Sequence, residues 1–125
     1  MKKRSAANKG GSTHHELVQI DFSFPRFALD LQQLELDQVL EFRRCIDKIK
    51  QMTWAQILAT SSKTEKRGLN WEPLEQRTIS GGVIASIRIT QKFRARVTRE
   101  GAMMRFISLH PDHDSAYEEA GGEDL

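Results

Sequence analysis

Three consecutive segments in the C-terminal half alternate apolar and polar residues, and this pattern constrains the fold more than any other feature of the chain. They cover residues 83–90, 93–100 and 102–109, with Gln91-Lys92 and Gly101 between them. A period of two residues is the signature of a β-strand, and such short connections join antiparallel neighbours. The pattern therefore predicts an antiparallel meander of three strands.

The alternation also predicts which side chains share a face of the meander. In the first two strands one parity carries Ala85, Ile87, Ile89, Phe93, Ala95 and Val97, and the other carries Ser86, Arg88, Thr90, Arg94, Arg96 and Thr98. The arginines are thus expected on one common face. In the third strand Met103, Ile107 and Leu109 have one parity and Met104 and Phe106 the other, which indicates a central strand covered on both faces.

The residues before the meander predict one strand and two helices. Alternating Val18, Ile20, Phe22 and Phe24 indicate a strand that ends at Pro25. Apolar residues three and four apart over 34–52 indicate an amphipathic helix, and a capping box at Thr53 and Gln56 indicates the start of a second, short one. Residues 61–70 are polar, basic and interrupted by Gly68, which predicts an exposed loop leading to Trp71, Glu72 and Pro73.

These elements predict an α+β fold of order β-α-α-β-β-β, in which an antiparallel meander and an N-terminal strand pack against a helical hairpin. The hairpin would cover one face of the sheet and leave the arginine face partly open. At 125 residues the chain has the size of one domain. We expect a flexible basic arm over 1–15, the domain over 16–117 and a flexible acidic tail over 118–125.

Composition restricts the cellular setting. No apolar run approaches the roughly 20 residues that cross a bilayer, and no apolar stretch follows the basic residues 1–4, so neither a membrane helix nor a secretion signal is expected. Cys45 is the sole cysteine, which fits a reducing cytoplasm, and its position in a predicted helix favours a small buried apolar group over a nucleophile.

The net charge of +2 conceals an uneven distribution. Between Arg77 and Arg105 seven basic residues stand against Glu100 alone. Arginines on a strand face are most often a solvated surface, and that reading stays open. Their alternative use is to bind phosphate, since a guanidinium stays charged and donates two parallel hydrogen bonds.

Several residue types around these arginines suit cleavage of a phosphodiester by the RNA 2′-hydroxyl. A carboxylate such as Glu72 can accept the 2′-OH proton, arginines can hold the nonbridging oxygens, and a histidine can protonate the leaving 5′-oxygen. The candidates are Glu72, Arg88, Arg94, Arg96, His110, His113 and Tyr117.

The segment from His110 to Asp114 permits other chemistry. Its histidines and aspartates are metal-ligand types, but no second cluster supplies further ligands. Ser115 follows Asp114 without the Gly-x-Ser-x-Gly elbow of a serine hydrolase. A hydrogen-bonded turn after the last strand is the structural alternative.

Residues 71–117 also resemble the C-terminal half of RelE/ParE-superfamily toxins, above all the YoeB-like ribosome-dependent endoribonucleases. The resemblance rests on Glu72-Pro73-Leu74, Gly81-Gly82, Arg88-Ile89-Thr90, Phe93-Arg94 and the His110 to Tyr117 segment. The family's terminal His and Tyr are adjacent, whereas here His110, His113 and Tyr117 are spread over eight residues.

The resemblance implies a toxin that cuts mRNA on the ribosome without a metal or other cofactor and is held in check by an antitoxin protein. Glu72 would be the general base, Arg94 the phosphate-stabilising residue and His110 or His113 the general acid beside Tyr117. Arg88 would be a supporting cation. From their charge and place in the basic stretch we also predict that Arg88, Lys92, Arg96 and Arg105 bind RNA. The alternatives are a ParE-like protein that binds DNA gyrase without catalysis and a non-toxic binding protein on the same scaffold.

Overall fold

The computed structural model describes residues 13–60 and 68–112, which form three helices and five strands. The elements are β1 (Gln19–Asp21), α1 (Pro25–Gln32), α2 (Leu36–Ile49), α3 (Trp54–Ala59), β2 (Glu72–Arg77), β3 (Val83–Arg88), β4 (Arg94–Glu100) and β5 (Met103–His110). This arrangement confirms the α+β class. In these two ranges no helix has the length and apolar character needed to cross a membrane.

The five strands form one sheet in the order β1-β5-β4-β3-β2. The predicted meander is β3, β4 and β5, which are antiparallel, while β1 lies parallel to β5. Because β5 is flanked by β1 and β4, the prediction of a central third strand is confirmed. The first strand is shorter than its alternation suggests, since the chain leaves the sheet after Asp21 and Phe22 stacks on Phe27 of α1.

The helices cover the face of the sheet that carries the apolar parity. Ala85, Ile87, Ala95 and Val97 belong to the same buried cluster as residues of all three helices. The cluster's helical members are Phe27, Phe42, Cys45, Ile46, Ile49, Trp54 and Ile57. Burial of this apolar surface is the main stabilising contribution.

The capping box at the start of α3 is formed as predicted. The Gln56 amide donates to Thr53 Oγ1 at 3.1 Å, and the Thr53 amide donates to Gln56 Oε1 at 2.9 Å. These two bonds satisfy backbone donors that the first helical turn leaves without a helical acceptor. The sequence therefore located this boundary to the residue.

Two elements and one loop differ from the sequence prediction. Pro25 opens α1 rather than only ending a strand, because the fixed φ of proline suits the first helical turn. Glu72–Arg77 is a strand with little apolar alternation, which is tolerated because β2 lies at the edge of the sheet. The predicted exposed loop is wrong at residues 68–70, which are buried; the Leu69 carbonyl accepts from the Arg88 amide at 2.7 Å.

A β-bulge breaks the predicted parity of β5. Arg96 pairs with Ser108 and Val97 with Phe106, so Ile107 is an extra residue in β5. Leu109 consequently joins Phe106 and Met104 in the helix-side core, although simple alternation grouped it with Met103 and Ile107.

The predicted N-terminal arm is only partly described. Residues 13–15 contact the fold: the Ala55 amide donates to the His14 carbonyl at 2.8 Å, and Arg99 Nη2 donates to Thr13 Oγ1 at 2.7 Å. Residues 1–12, the predicted tail over 118–125, and the candidates His113 and Tyr117 lie outside the described residues.

Candidate functional site

Strand register gathers the predicted site residues on the face of the sheet opposite the helices. Directly opposed residues of neighbouring strands project to the same side. One row across the sheet is Glu72, Ser86, Arg96 and Ser108, and the adjacent row is Arg88, Arg94 and His110. We call these seven residues the polar face. Four strands thus bring one carboxylate, three arginines and one imidazole to one end of the sheet.

The bulge at Ile107 places two residues, Ser108 and His110, on the polar face. Without the extra residue, Ser108 and His110 would share the parity of Met104 and Phe106 and point into the helix-side core. With it, they lie beside Arg96 and Arg94. Bulges are over-represented next to active sites because they re-aim side chains in this way.

Four of the seven residues of the polar face are buried, and the other three are partly accessible. Ser86, Arg96, Ser108 and His110 are each at most 1% exposed, so the expectation of an open arginine face is wrong at Arg96. The guanidinium of Arg96 lies against β2, with Gln76 Oε1 3.5 Å from Nη1. Glu72, Arg88 and Arg94 remain half-buried.

His110 has a fixed polar neighbour. Its Nε2 lies 2.8 Å from Ser108 Oγ, and both residues are buried. A hydroxyl can donate to or accept from a ring nitrogen, so this bond holds the imidazole in place in either tautomer. Ser108 therefore orients the imidazole beside Arg94.

A basic cleft adjoins the polar face at Arg88 and Arg94. It has a volume of about 640 Å³ and lies between α2 and the end of β3. Its lining residues are Glu41, Arg44, Cys45, Lys48, Gly68, Leu69, Arg88, Ile89, Thr90, Gln91 and Arg94. Among these, four bases face one acid. The cleft is suited to an anion.

Arg94 has buried hydrogen-bond donors that the described part of the fold leaves unused. Its Nε and Nη1 are buried, and neither atom has a hydrogen-bond partner among the residues that the structure describes. Arg88, directly opposite, donates from Nη2 to the Gly68 carbonyl at 3.3 Å. Buried donors without partners are costly, so an acceptor in the cleft would stabilise Arg94.

The basic residues at the other end of the meander contact side chains of the same chain. Arg105, predicted to bind RNA, donates from Nε to Asp21 Oδ2 at 2.7 Å and also pairs with Glu100. The Arg105 guanidinium lowers the pKa of Asp21, and the bond to Asp21 raises the pKa of Arg105. Arg99 lies 4.3 Å above the Trp54 ring, and its burial lowers its pKa. These groups are structural cations.

Arg77 and Lys92 lie outside the polar face. Arg77 Nη1 donates to the Leu74 carbonyl at 2.8 Å and the Glu75 carbonyl at 3.0 Å, where the register of β2 shifts. Lys92, predicted to bind RNA, is exposed in the connection between β3 and β4.

Cys45 is a wall residue of the cleft rather than a nucleophile. It is 7% exposed, and its burial raises the thiol pKa to about 12. The thiolate is the reactive form, so this cysteine is inert near neutral pH. Its interpretation as a small buried apolar group is confirmed.

Of the possible metal ligands in residues 110–114, His113 and Asp114 lie outside the described residues. Within residues 13–60 and 68–112, no group of three or more His, Cys, Asp or Glu side chains is placed to hold a metal ion.

Sequence reasoning missed Ser108 and the α2 side of the cleft. Arg44 and Lys48 are four residues apart, which places them on one helix face. Nothing in the sequence related that face to the end of β3, because the contact depends on how α2 lies across the sheet.

Comparisons with protein-family models, with curated proteins and with solved structures found no match to this chain.

Proposed function

We propose that this protein is an endoribonuclease that cleaves RNA through attack of the 2′-hydroxyl, as its resemblance to YoeB-like toxins implies. The observation that carries the proposal is that Glu72, Arg88, Arg94 and His110 share one face at one end of the sheet, where Arg88 and Arg94 also line a basic cleft. A module that only binds RNA needs the cations but has no need of a carboxylate and an imidazole among them.

In the proposed reaction Glu72 accepts the proton of the 2′-OH as its oxygen attacks the phosphorus. Arg94 donates to the nonbridging oxygens as negative charge builds on them. The bond from phosphorus to the 5′-oxygen breaks, and a histidine supplies the proton to that oxygen. The products are a 2′,3′-cyclic phosphate and a 5′-hydroxyl. No metal or other cofactor takes part.

The proposed setting follows from the resemblance. The substrate would be mRNA in the ribosomal decoding site, the regulator an antitoxin protein that covers the basic surface, and the compartment the cytoplasm. For the general acid, His110 stands on the polar face with its ring fixed by Ser108, and His113 and Tyr117 are the other candidates.

The test is cleavage of a defined mRNA on translating ribosomes by Glu72→Gln and Arg94→Ala variants. We expect each to lose about 10²- to 10³-fold in rate, the scale of removing an acid–base group or a charge-stabilising donor. Glu75→Gln is the matched control for Glu72, because Glu75 is an exposed carboxylate on the same strand. Wild-type activity should persist in the presence of a chelator.

Wild-type protein that leaves mRNA intact on translating ribosomes would refute the enzyme. Equal rates for Glu72→Gln and Glu75→Gln would refute Glu72 as the general base. Loss of activity on chelation would instead indicate a metal-dependent reaction.

One observation favours the second candidate, a ParE-like binder of DNA gyrase or a non-toxic binding protein. His110 is 1% exposed and hydrogen-bonded to Ser108, as expected of a structural histidine. For a gyrase binder, the purified protein should inhibit DNA supercoiling by gyrase, and Glu72→Gln should inhibit it equally well. Absence of inhibition by the wild-type protein would exclude the gyrase partner.

A further inference from the structure

The basic cleft has two walls of different origin, and only one of them belongs to the polar face. The sheet wall contributes Arg88 and Arg94, and the helix wall contributes Arg44 and Lys48 of α2. We propose that the cleft is a substrate channel that holds two successive phosphates of a single RNA strand. Arg88 and Arg94 hold one phosphate and Arg44 and Lys48 hold the next; RNA as the anion rests on the proposed function.

The electrostatics of the sheet wall favour a bound anion. Arg88 and Arg94 are a directly opposed cross-strand pair, an arrangement that is destabilising for like charges. Two buried donors of Arg94, Nε and Nη1, find no hydrogen-bond partner in the described part of the chain. A phosphate between the two guanidinium groups would supply acceptors and relieve the repulsion.

The helix wall adds charge beyond what one phosphate needs. Arg44 and Lys48 are exposed, lie one helical turn apart and line the same cleft. Glu41 is the single acid among the described lining residues, so four bases stand against one carboxylate in the formal charge of the lining. An excess of this size matches more than one phosphodiester.

The size of the cleft favours a strand over a free inorganic ion. Its volume of about 640 Å³ lies within the roughly 300–1,000 Å³ of sites for small organic ligands. Ile89 and Leu69 add apolar surface against which a base or ribose can pack.

The experiment measures binding without catalysis. The probe is a single-stranded 2′-O-methyl oligoribonucleotide, which lacks the attacking hydroxyl, and its Kd for the full chain is measured between 50 and 200 mM salt. Each phosphate contact contributes about 0.7 to the slope of log K against log salt for a single strand. The Arg44→Gln/Lys48→Gln double variant should therefore bind several-fold more weakly and show a slope shallower by about 0.7.

Arg43→Gln is the matched control, because Arg43 is an exposed arginine of the same helix that does not line the cleft. It should leave the slope at the wild-type value. The inference is overturned if Arg43→Gln changes the slope as much as the double variant does, if the double variant keeps the wild-type slope, or if the wild-type protein does not bind the probe.

A second arm identifies the source of the phosphates. Binding to vacant ribosomes is compared for the same variants. A loss confined to ribosome binding would assign Arg44 and Lys48 to ribosomal RNA and overturn the substrate channel. The failure of the enzyme proposal can be distinguished from the failure of the substrate channel. A protein that never cleaves mRNA can still show the predicted change in salt slope with the uncleavable probe.

Discussion

The two ends of the meander carry arginines that differ in what their guanidinium groups contact. At one end Arg99 and Arg105 are held by an indole ring, a hydroxyl and two carboxylates of the fold. At the other end Arg88 and Arg94 face each other across two strands and line a cleft with two further bases. The sequence alone presents all four as one basic stretch.

This difference shows how to distinguish an arginine that stabilises the fold from one that can bind a ligand: the distinction is whether its partners belong to the same chain. A cation whose partners belong to the same chain contributes to stability and has little capacity left for a ligand. A cation with buried donors and no partner among the described residues, as at Arg94, costs stability until a ligand supplies acceptors. Three substitutions test this division.

The largest effect is expected at the ring beneath Arg99. Trp54 is fully buried, its Nε1 donates to the Ala102 carbonyl at 2.9 Å, and Arg99 stacks on its face. Trp54→Ala should lower the free energy of unfolding by about 3–5 kcal/mol, measured by urea denaturation. Leu58→Ala on the same helix, where the side chain is 40% exposed, is the control and should cost less than about 1.5 kcal/mol. If Trp54→Ala lowered the free energy of unfolding no more than Leu58→Ala does, the contact between Arg99 and the Trp54 ring would not be part of the structural core.

A smaller, pH-dependent effect is expected at Arg105. Arg105→Met removes two ion pairs at the surface and should cost about 0.5–1 kcal/mol at pH 7. Because Arg105 lowers the pKa of folded Asp21, this contribution is complete above the unfolded pKa of about 4 and is lost as the pH falls through the lowered folded value. Unfolding at pH 7 and pH 2 should show a deficit that disappears in acid. A deficit of equal size at both pH values would mean that packing of the arginine stem causes it.

The smallest effect is expected at Arg94. Arg94→Met keeps an unbranched stem but removes the unpartnered donors and the charge opposite Arg88, so stability should change by no more than about 0.5 kcal/mol, with a gain as the expected sign. Urea denaturation at low salt measures this change. A loss above about 1.5 kcal/mol would show that Arg94 is a structural cation like Arg105, and the comparison between the two ends would fail.

Much of the sheet was predictable because its strands alternate clearly. β3 and β4 were located nearly to the residue, and the arginines were correctly assigned to one face. β2 was missed because Leu74 is the sole apolar residue of Glu72–Arg77, so its place in the sheet depends on backbone pairing with β3. α1 was missed because a proline after an alternating run was interpreted as an ending.

The candidate site was predictable in composition and not in geometry. Glu72, Arg94 and His110 were chosen for their chemistry and by resemblance, and register then set them on one face. The burial of Arg96, the pairing of Arg105 and the helix wall of the cleft depend on residues distant in the chain. Residue type and local spacing carry no information about such neighbours.

The sequence by itself determined the α+β class, the meander and the common face of Arg88, Arg94 and Arg96, because a two-residue period acts locally along each strand. Only the tertiary structure decided which arginines face a cleft and which are held by the fold, since that depends on how α2 packs on the sheet and on where β1 joins it. The bulge at Ile107 shows where local alternation stops predicting which face a side chain occupies. One extra residue reverses the parity of Ser108 and His110, and pairing with β4, rather than the β5 sequence, determines where that residue is accommodated.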